Sequence, residues 1–297
     1  MHILVNDYAV FDRKFLVFVF LVAANKVESS SSKNGGCALP WPLTKNTFRQ
    51  IEGEQTVGFD GPCTIDRVDG AQLTQQTFEA SYAFVKPVII YNLNENAAFQ
   101  RSCQKQEMLE TWKDTPIVLN SANTYSYSRV DANFDDYVRN ILKPQDIQKP
   151  GNETLYLFGD IDQTIWKPLL DQYNPPKWTV PGHEAALSFG IAGAGTGVPF
   201  HFHGPGFGEV IHGSKRWFLL PFEQRPEFDP DKSTLYWYLN KYPTLSANKI
   251  PLECLLQPNE LIYFPDRWWH ATLNSETSVF ISTFLSSVVS SKQNTEL

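Results

Sequence analysis

At 297 residues and a net charge of −7, the chain is long enough to bury a full core, in one large or two small domains. It lacks the clustered excess of Lys and Arg that phosphate contacts require, which excludes an ordinary nucleic-acid binder. Aromatic side chains are abundant, with 21 Phe, 12 Tyr and 8 Trp, and with 20 Pro they suit many short strands and turns better than long helices.

The amino-terminal segment differs from the rest. Arg13 and Lys14 precede the ten apolar residues FLVFVFLVAA, which run into the polar stretch NKVESSSSKN. A basic end, an apolar centre and small residues at the cut are the order of a secretory signal, with cleavage expected near Ala24. The rival readings are a membrane anchor and a buried strand; for the anchor, ten residues fall well short of the roughly 20 a spanning helix needs. The expected layout is a signal peptide over 1–24, a loose lead-in over 25–60, one domain over 61–288 and a tail over 289–297. No other segment approaches spanning length, so the expected location is the lumen of the endoplasmic reticulum, or outside the cell. Asn152-Glu153-Thr154 is a glycosylation sequon, usable only in such a compartment. The terminal NTEL shares only its Glu-Leu ending with a lumenal retrieval signal.

Beyond the lead-in, KPVIIYNL (86–93) reads as a strand. QKQEMLETWKD (104–114) and FDDYVRNILK (134–143) place apolar residues at helical spacing. NETLYLFGDI (152–161) returns to strand, and QTIWKPLLDQY (163–173) predicts a short helix interrupted by Pro168. From Glu184 onward strands dominate: EAALSFGIA, PFHFH, GEVIHG, KRWFLLP, LECLLQ, ELIYFP and SVFISTFL, with a helical insertion over 231–242. No internal repeat or second linker appears. The fold expected is mainly β with flanking helices, its short antiparallel strands closed as a barrel or folded sandwich.

Four cysteines allow three complete pairings. Alternation in PLECLLQ puts Leu252, Cys254 and Leu256 on one face, so Cys254 is expected to be a buried free thiol. Cys63 and Cys103 each flank a predicted element and are expected to pair. Cys37 lies in the Gly-, Ser- and Pro-rich lead-in.

In VPFHFHGPG (198–206), His201 and His203 are two apart and would face one way on a strand, with Phe202 facing the other. The Gly204-Pro205-Gly206 turn follows at once. His270, in YFPDRWWHATLN, opens a later strand that could return to the same mouth. His-x-His on a strand with a third His after an aromatic pair has the order of a metal-binding cupin.

GTGVPFHFHGPGFGEVIHGSKRWFLLP together with ELIYFPDRWWHATLN resembles the JmjC family of Fe(II)- and 2-oxoglutarate-dependent oxygenases over about residues 75–286. That family's pattern is His-x-Asp/Glu, then Gly-x-Lys-Arg-Trp, then Trp-Trp-His. The resemblance implies a double-stranded β-helix of the jelly-roll or cupin type, with His201, His203 and His270 as metal ligands. His203 then stands where the family has a carboxylate. Two neutral imidazoles and one carboxylate normally leave three positions open on the iron, and here the protein supplies no anionic ligand. Three histidines still bind metal well, as zinc in carbonic anhydrase shows, so zinc is the alternative to iron. Lys215 matches the lysine that pairs with the distal carboxylate of 2-oxoglutarate. A carboxylate taken out of water needs such a fixed cation. Val198 stands where some members carry an assisting hydroxyl, which leaves Tyr156 and Thr283 as substitutes.

Other conspicuous residues read as structural: His212 as space-filling or a turn cap, His183 as exposed, Trp268 and Trp269 as wall packing, and Asp160 and Asp162 as turn residues. The resemblance implies either a protein hydroxylase or a regulatory scaffold that keeps the fold and acts through protein partners. A zinc hydrolase-like centre is a third reading. The expected partner is a protein of the secretory pathway, with no nucleic acid and no membrane span after signal cleavage.

Overall fold

The computed structural model describes residues 41, 61–123, 128–145, 154–159 and 161–288. The expected signal peptide, Cys37, the sequon at Asn152, Asp160 and the tail lie outside these residues. Of the expected lead-in before residue 61, Trp41 alone is described. It is buried, and its indole nitrogen donates to the Cys103 carbonyl at 2.9 Å.

The first half mixes strands and helices. Strand β1 (Asp66–Asp69), helix α1 (Gln75–Ser81) and strand β2 (Val88–Tyr91) are followed by helices α2 (Ala97–Ser102) and α3 (Lys105–Trp112). Next come β3 (Pro116–Ser121) and β4 (Arg129–Asn133), then helix α4 (Phe134–Asp136), which runs into a π-helical turn over Tyr137–Ile141. The short strand β5 (Leu155–Tyr156) and helix α5 (Gln163–Leu170) complete this half. Side-chain caps set several starts: Thr74 accepts from Thr77 N, Asn133 from Asp135 N, and Asp162 from Thr164 N and Ile165 N. Pro168 does not interrupt α5, contrary to the sequence expectation. The helix ends two residues later, so the proline costs it little of its hydrogen-bond ladder.

The second half is the strand array: β6 (His183–Ala192), β7 (Gly206–His212), β8 (Lys215–Leu220), helix α6 (Thr234–Asn240), β9 (Leu252–Leu256), β10 (Leu261–Phe264), β11 (Trp269–Asn274) and β12 (Ser278–Ser287). One sheet runs β1-β2-β10-β7-β12-β6 and a second runs β11-β8-β9. Within them only the β1–β2 pair is parallel. The segment before the histidine pair extends the second sheet. Asn274 N donates to Thr196 O at 2.7 Å, Thr272 N to Val198 O at 2.9 Å and His270 N to His201 O at 2.9 Å. Gly197 permits this approach, because a Cβ there would lie 1.8 Å from the Thr272 carbonyl oxygen.

The two sheets pack face to face. Val210, Ile262 and Phe264 of the larger sheet meet Trp217, Leu219 and Leu256 of the smaller one, giving the double-stranded β-helix, mainly β with flanking helices. The outer face of the larger sheet is covered too. Helices α2 to α5 pack Phe99, Met108, Phe134 and Trp166 against Phe189, Ile211, Val279 and Ile281. Alternate residues of β7 and β12 therefore face a helical layer on one side and the space between the sheets on the other. A third sheet, β4-β3-β5, completes the fold. Among the described residues, no helix is long and apolar enough to cross a membrane.

The cysteine expectations are corrected. Cys63 is bonded to Cys254, 191 residues away, and Cys103 is the buried free thiol. Thr64 N donates to Glu253 O at 2.8 Å and Glu253 N to Thr64 Oγ1 at 2.9 Å. These bonds lay the chain before β1 along β9 and bring the two cysteines side by side. Cys103, at the end of α2, sits in the helical layer under Trp41. Closing so long a loop stabilises the fold by about 5 kcal/mol on the chain-entropy account. Non-reducing peptide mapping of the folded protein is expected to yield one Cys63–Cys254 linked peptide, with Cys103 alkylated only after denaturation. A Cys63–Cys103 peptide would contradict the assignment.

Glu209, on the helix-facing side of β7, is 5% exposed. Its carboxylate accepts from Tyr173 Oη at 2.8 Å and Asn96 Nδ2 at 3.0 Å, and burial pushes its pKa up to about 7. The folded-state value lies above the unfolded one, so stability falls as pH rises from the ordinary glutamate value towards 7, then levels off. The penalty is about 3 kcal/mol at neutral pH. Urea titrations of Glu209→Gln are expected to lose this slope and to show greater stability than the native chain at pH 8. Parallel profiles would refute the assignment.

Candidate metal centre

His201 and His270 form a mutual backbone pair. His201 N donates to His270 O at 3.1 Å, and His270 N returns a bond to His201 O at 2.9 Å. Arg267 N donates to His203 O at 2.9 Å, tying the second half of the His-x-His motif to the same turn. The three imidazoles converge, with ring centroids 4.2 Å apart for His201–His270, 4.7 Å for His203–His270 and 5.5 Å for His201–His203. One ligand atom from each lies within 4.8 Å of the other two.

Each ring is set for the same task by a backbone carbonyl. Nδ1 lies 2.8 Å from Pro199 O in His201, 2.8 Å from Gly204 O in His203 and 2.9 Å from Trp268 O in His270. A carbonyl oxygen can only accept, so each Nδ1 carries the proton and each Nε2 keeps its lone pair. Carbonyl partners of this kind are what metal-bound histidines use to fix tautomer and orientation. Burial pushes the His201 pKa down to about 3, with His203 adding to the effect. Burial lowers His203 and takes His270 well below the ordinary range, where His201 and His203 contribute further. The cluster is therefore a set of neutral nitrogen donors, fit for a divalent ion such as iron or zinc. Among the described residues no carboxylate joins it. Asp266, close in sequence, pairs with Arg267 at 3.3 Å.

The centre opens into a cavity between the two sheets, of about 480 Å³ with part of it open to solvent. Strand register orders its walls. On β8 and β11, Leu219 pairs with His270, Trp217 with Thr272 and Lys215 with Asn274. Lys215 thus stands four residues along the ladder from the level of His270, about 13 Å at the backbone. On β12, Phe280, Ser282 and Phe284 face inward. Phe284 lies 5.1 Å from the His203 ring, and the Phe280 ring centroid lies 3.5 Å from Lys215 Nζ. One end of the cavity is the histidine cluster and the other is a lysine.

Lys215 is 3% exposed and, among the described residues, no carboxylate pairs with it. Burial alone pushes its pKa down to about 7. Near neutral pH such a lysine is partly deprotonated, and an anion arriving beside it draws it back to the charged form.

The remaining sequence candidates fall elsewhere. Thr283 is buried but does not line the cavity, since it belongs to the helix-facing side of β12. The inward hydroxyl is Ser282, one residue away, and a one-residue shift along a strand reverses the face. Tyr156 lies a layer behind the wall, stacked on the cavity-lining Phe158 at 6.2 Å. Val198 lines the cavity. His212 is spent on the Gln100 carbonyl at 2.8 Å, and Asp162 caps α5. His183 is half-buried beside Phe84 rather than exposed. Trp269 packs against Phe202 at 4.7 Å on the outer side of the His-x-His strand.

No protein-family model matches the sequence. The chain is 54% identical over 223 residues to JmjC domain-containing protein 8 of Rattus norvegicus, which is 75% of this chain and 82% of that protein. It is 51% identical over 233 residues to the protein of the same name from Homo sapiens, or 78% of this chain and 88% of that one. A more distant relative is lysine-specific demethylase JMJ21 of Arabidopsis thaliana, 26% identical over 238 residues, which are 69% of this chain and 24% of that protein.

Histidines already neutral in the metal-free protein present no protons for a metal to displace. Calorimetric titration with zinc is expected to give one site whose affinity changes less than tenfold between pH 7.5 and 5.5. Three histidines of ordinary pKa would lose about a thousandfold over that interval. His270→Ala is expected to abolish the site, and a steep loss of affinity at pH 5.5 in the native chain would contradict the reading.

Proposed function

The chain belongs to the JmjC domain family, and on that premise we propose that it binds iron(II) and 2-oxoglutarate in one cavity and oxidises a side chain of a protein in the secretory pathway. The observation that carries this reading is the buried Lys215, without a carboxylate partner among the described residues, in the cavity that holds His201, His203 and His270. When bound, iron(II) supplies the activation of O2 that is coupled to decarboxylation of the 2-oxo acid.

The chain's own groups have separable parts in that chemistry. The imidazoles hold the ion through Nε2 while the Pro199, Gly204 and Trp268 carbonyls keep the rings from turning. Lys215 binds the far carboxylate of 2-oxoglutarate, and its ammonium is restored to full charge by that pairing. Ser282 offers a hydroxyl between the two ends. Phe158, Phe264, Phe280 and Phe284 line the cavity and exclude water from both charged ends. The secretory location is supported by the order of residues 13–32 and by the Cys63–Cys254 bond, which belongs in an oxidising compartment.

His203 favours a second reading. With no carboxylate in the shell, the bound centre carries one more positive charge than the family's usual set. The protein could then hold metal and 2-oxoglutarate as a ligand-stabilised scaffold that acts on protein partners without turnover.

Calorimetry with 2-oxoglutarate on protein loaded anaerobically with iron(II) is expected to show binding that weakens at least tenfold in Lys215→Ala, the scale of one charge-assisted hydrogen bond. Binding indifferent to Lys215 would sink the co-substrate reading. Succinate release separates the two functions: turnover by the native chain supports the oxygenase, whereas turnover that appears only in His203→Asp supports the scaffold.

A further inference from the structure

The Cys63–Cys254 bond is unevenly placed. Cys254 is 2% exposed in the core between the sheets, whereas Gly61, Pro62, Cys63 and Thr64 are all exposed. Cys63 is therefore the end that a dissolved thiol can approach. The charge at the other end favours that direction of attack. Arg67 Nη1 lies 3.9 Å from Cys254 Sγ, while its Nη2 pairs with Glu260, and a cation beside a departing thiolate speeds exchange. The strap that the bond holds down is itself biased towards opening. It meets β9, the outer strand of the smaller sheet, through Thr64, whose amide and hydroxyl bond to Glu253. Beneath it sits the Arg216–Glu253 ion pair, each side chain 1% exposed. Gly61 lies directly on the guanidinium, since a Cβ there would be 1.7 Å from Arg216 Nη2. Two charges taken out of water carry a desolvation cost that their attraction only partly repays. Lifting the strap returns water to both, and the covalent bond restrains that tendency. Strand register carries the effect inward. Cys254 is paired with Trp217 and Leu256 with Lys215, and Trp217, Leu256 and Lys215 all line the cavity. The strand that the strap clamps is thus part of the cavity wall at its lysine end.

We propose that the Cys63–Cys254 bond is an exchange site for a dithiol, and that its reduction lifts the strap over 61–64 and loosens the cavity wall at Lys215. A thiolate of the dithiol attacks Cys63 Sγ and forms a mixed disulfide. The Cys63–Cys254 bond breaks, and its electron pair leaves with Cys254 as a thiolate, which takes up a proton from water. The second thiol of the dithiol, as thiolate, then attacks its own sulfur in the mixed disulfide and frees Cys63, which is protonated in turn. Two electrons and two protons have passed to the cysteines, and the dithiol departs as a disulfide. Exchange with an oxidised partner of the same kind reverses the steps and closes the strap. The loosening is a property of the wall and does not depend on which ligand the cavity takes.

The test treats folded full-length protein with dithiothreitol and traps thiols by alkylation before digestion. Cys63 and Cys254 are expected to be labelled together while Cys103 stays unlabelled, and excess glutathione is expected to add to Cys63 and not to Cys254. Arg67→Gln is expected to slow the reduction about threefold. In hydrogen exchange, the amides of β9 and β8 are expected to exchange about tenfold faster after reduction, with those of helices α2 to α5 unchanged. The same pattern is expected in Cys63→Ser without reductant, which separates loss of the bond from any effect of the reagent. Labelling of Cys63 and Cys254 only in step with Cys103 would mean that the bond opens by global unfolding, and would overturn the exchange site. Reduction in the folded state that leaves exchange in β8 and β9 unaltered would overturn its hold on the cavity wall.

Discussion

The reciprocal backbone pair between His201 and His270 is the constraint on which the site depends. It joins two segments about 70 residues apart in the sequence and does so at the candidate ligands themselves. Because each histidine's amide and carbonyl are both engaged with the other, the distance between the two imidazoles follows from the ladder rather than from side-chain freedom. His203 then follows by strand geometry, two residues on and facing the same way. The third carbonyl-to-Nδ1 contact completes a donor set whose orientation is settled before any ion arrives, which reduces the cost of assembling it on binding.

Electrostatics give the cavity its direction. Among the described residues both ends are short of negative charge: no carboxylate joins the histidine cluster, and none pairs with Lys215, whose ammonium lies over the Phe280 ring. An apolar interior makes each shortage more expensive than it would be in water. A small dicarboxylate answers both at once, and a monoanion answers one. On the same logic His203, neutral where the family pattern has a carboxylate, would raise the positive charge around any ion held by the cluster.

Much of this could be read from the chain alone, and the parts that could not share a physical cause. The His-x-His spacing, the Lys-Arg-Trp run and the late histidine lie on short strands whose ends are marked by Gly and Pro, so their faces follow from period two. Strand β12 is buried on both sides, and its apolar run hides which residues face inward; that is why Thr283 and Ser282 exchange roles. The disulfide depends on a contact between chain segments 191 residues apart, which no local pattern reports. Trp41 in the helical layer is a similar case, a buried anchor inside a stretch whose composition reads as linker.

The bond between Cys63 and Cys254 clips the chain ahead of β1 to the outer strand of the smaller sheet. That strand also carries Glu253, the buried partner of Arg216, the immediate neighbour of Lys215. Closure of the clip requires an environment that removes electrons from thiols. A newly made polypeptide kept among reductants would leave this border open, so completion of the architecture depends on the redox state of its surroundings.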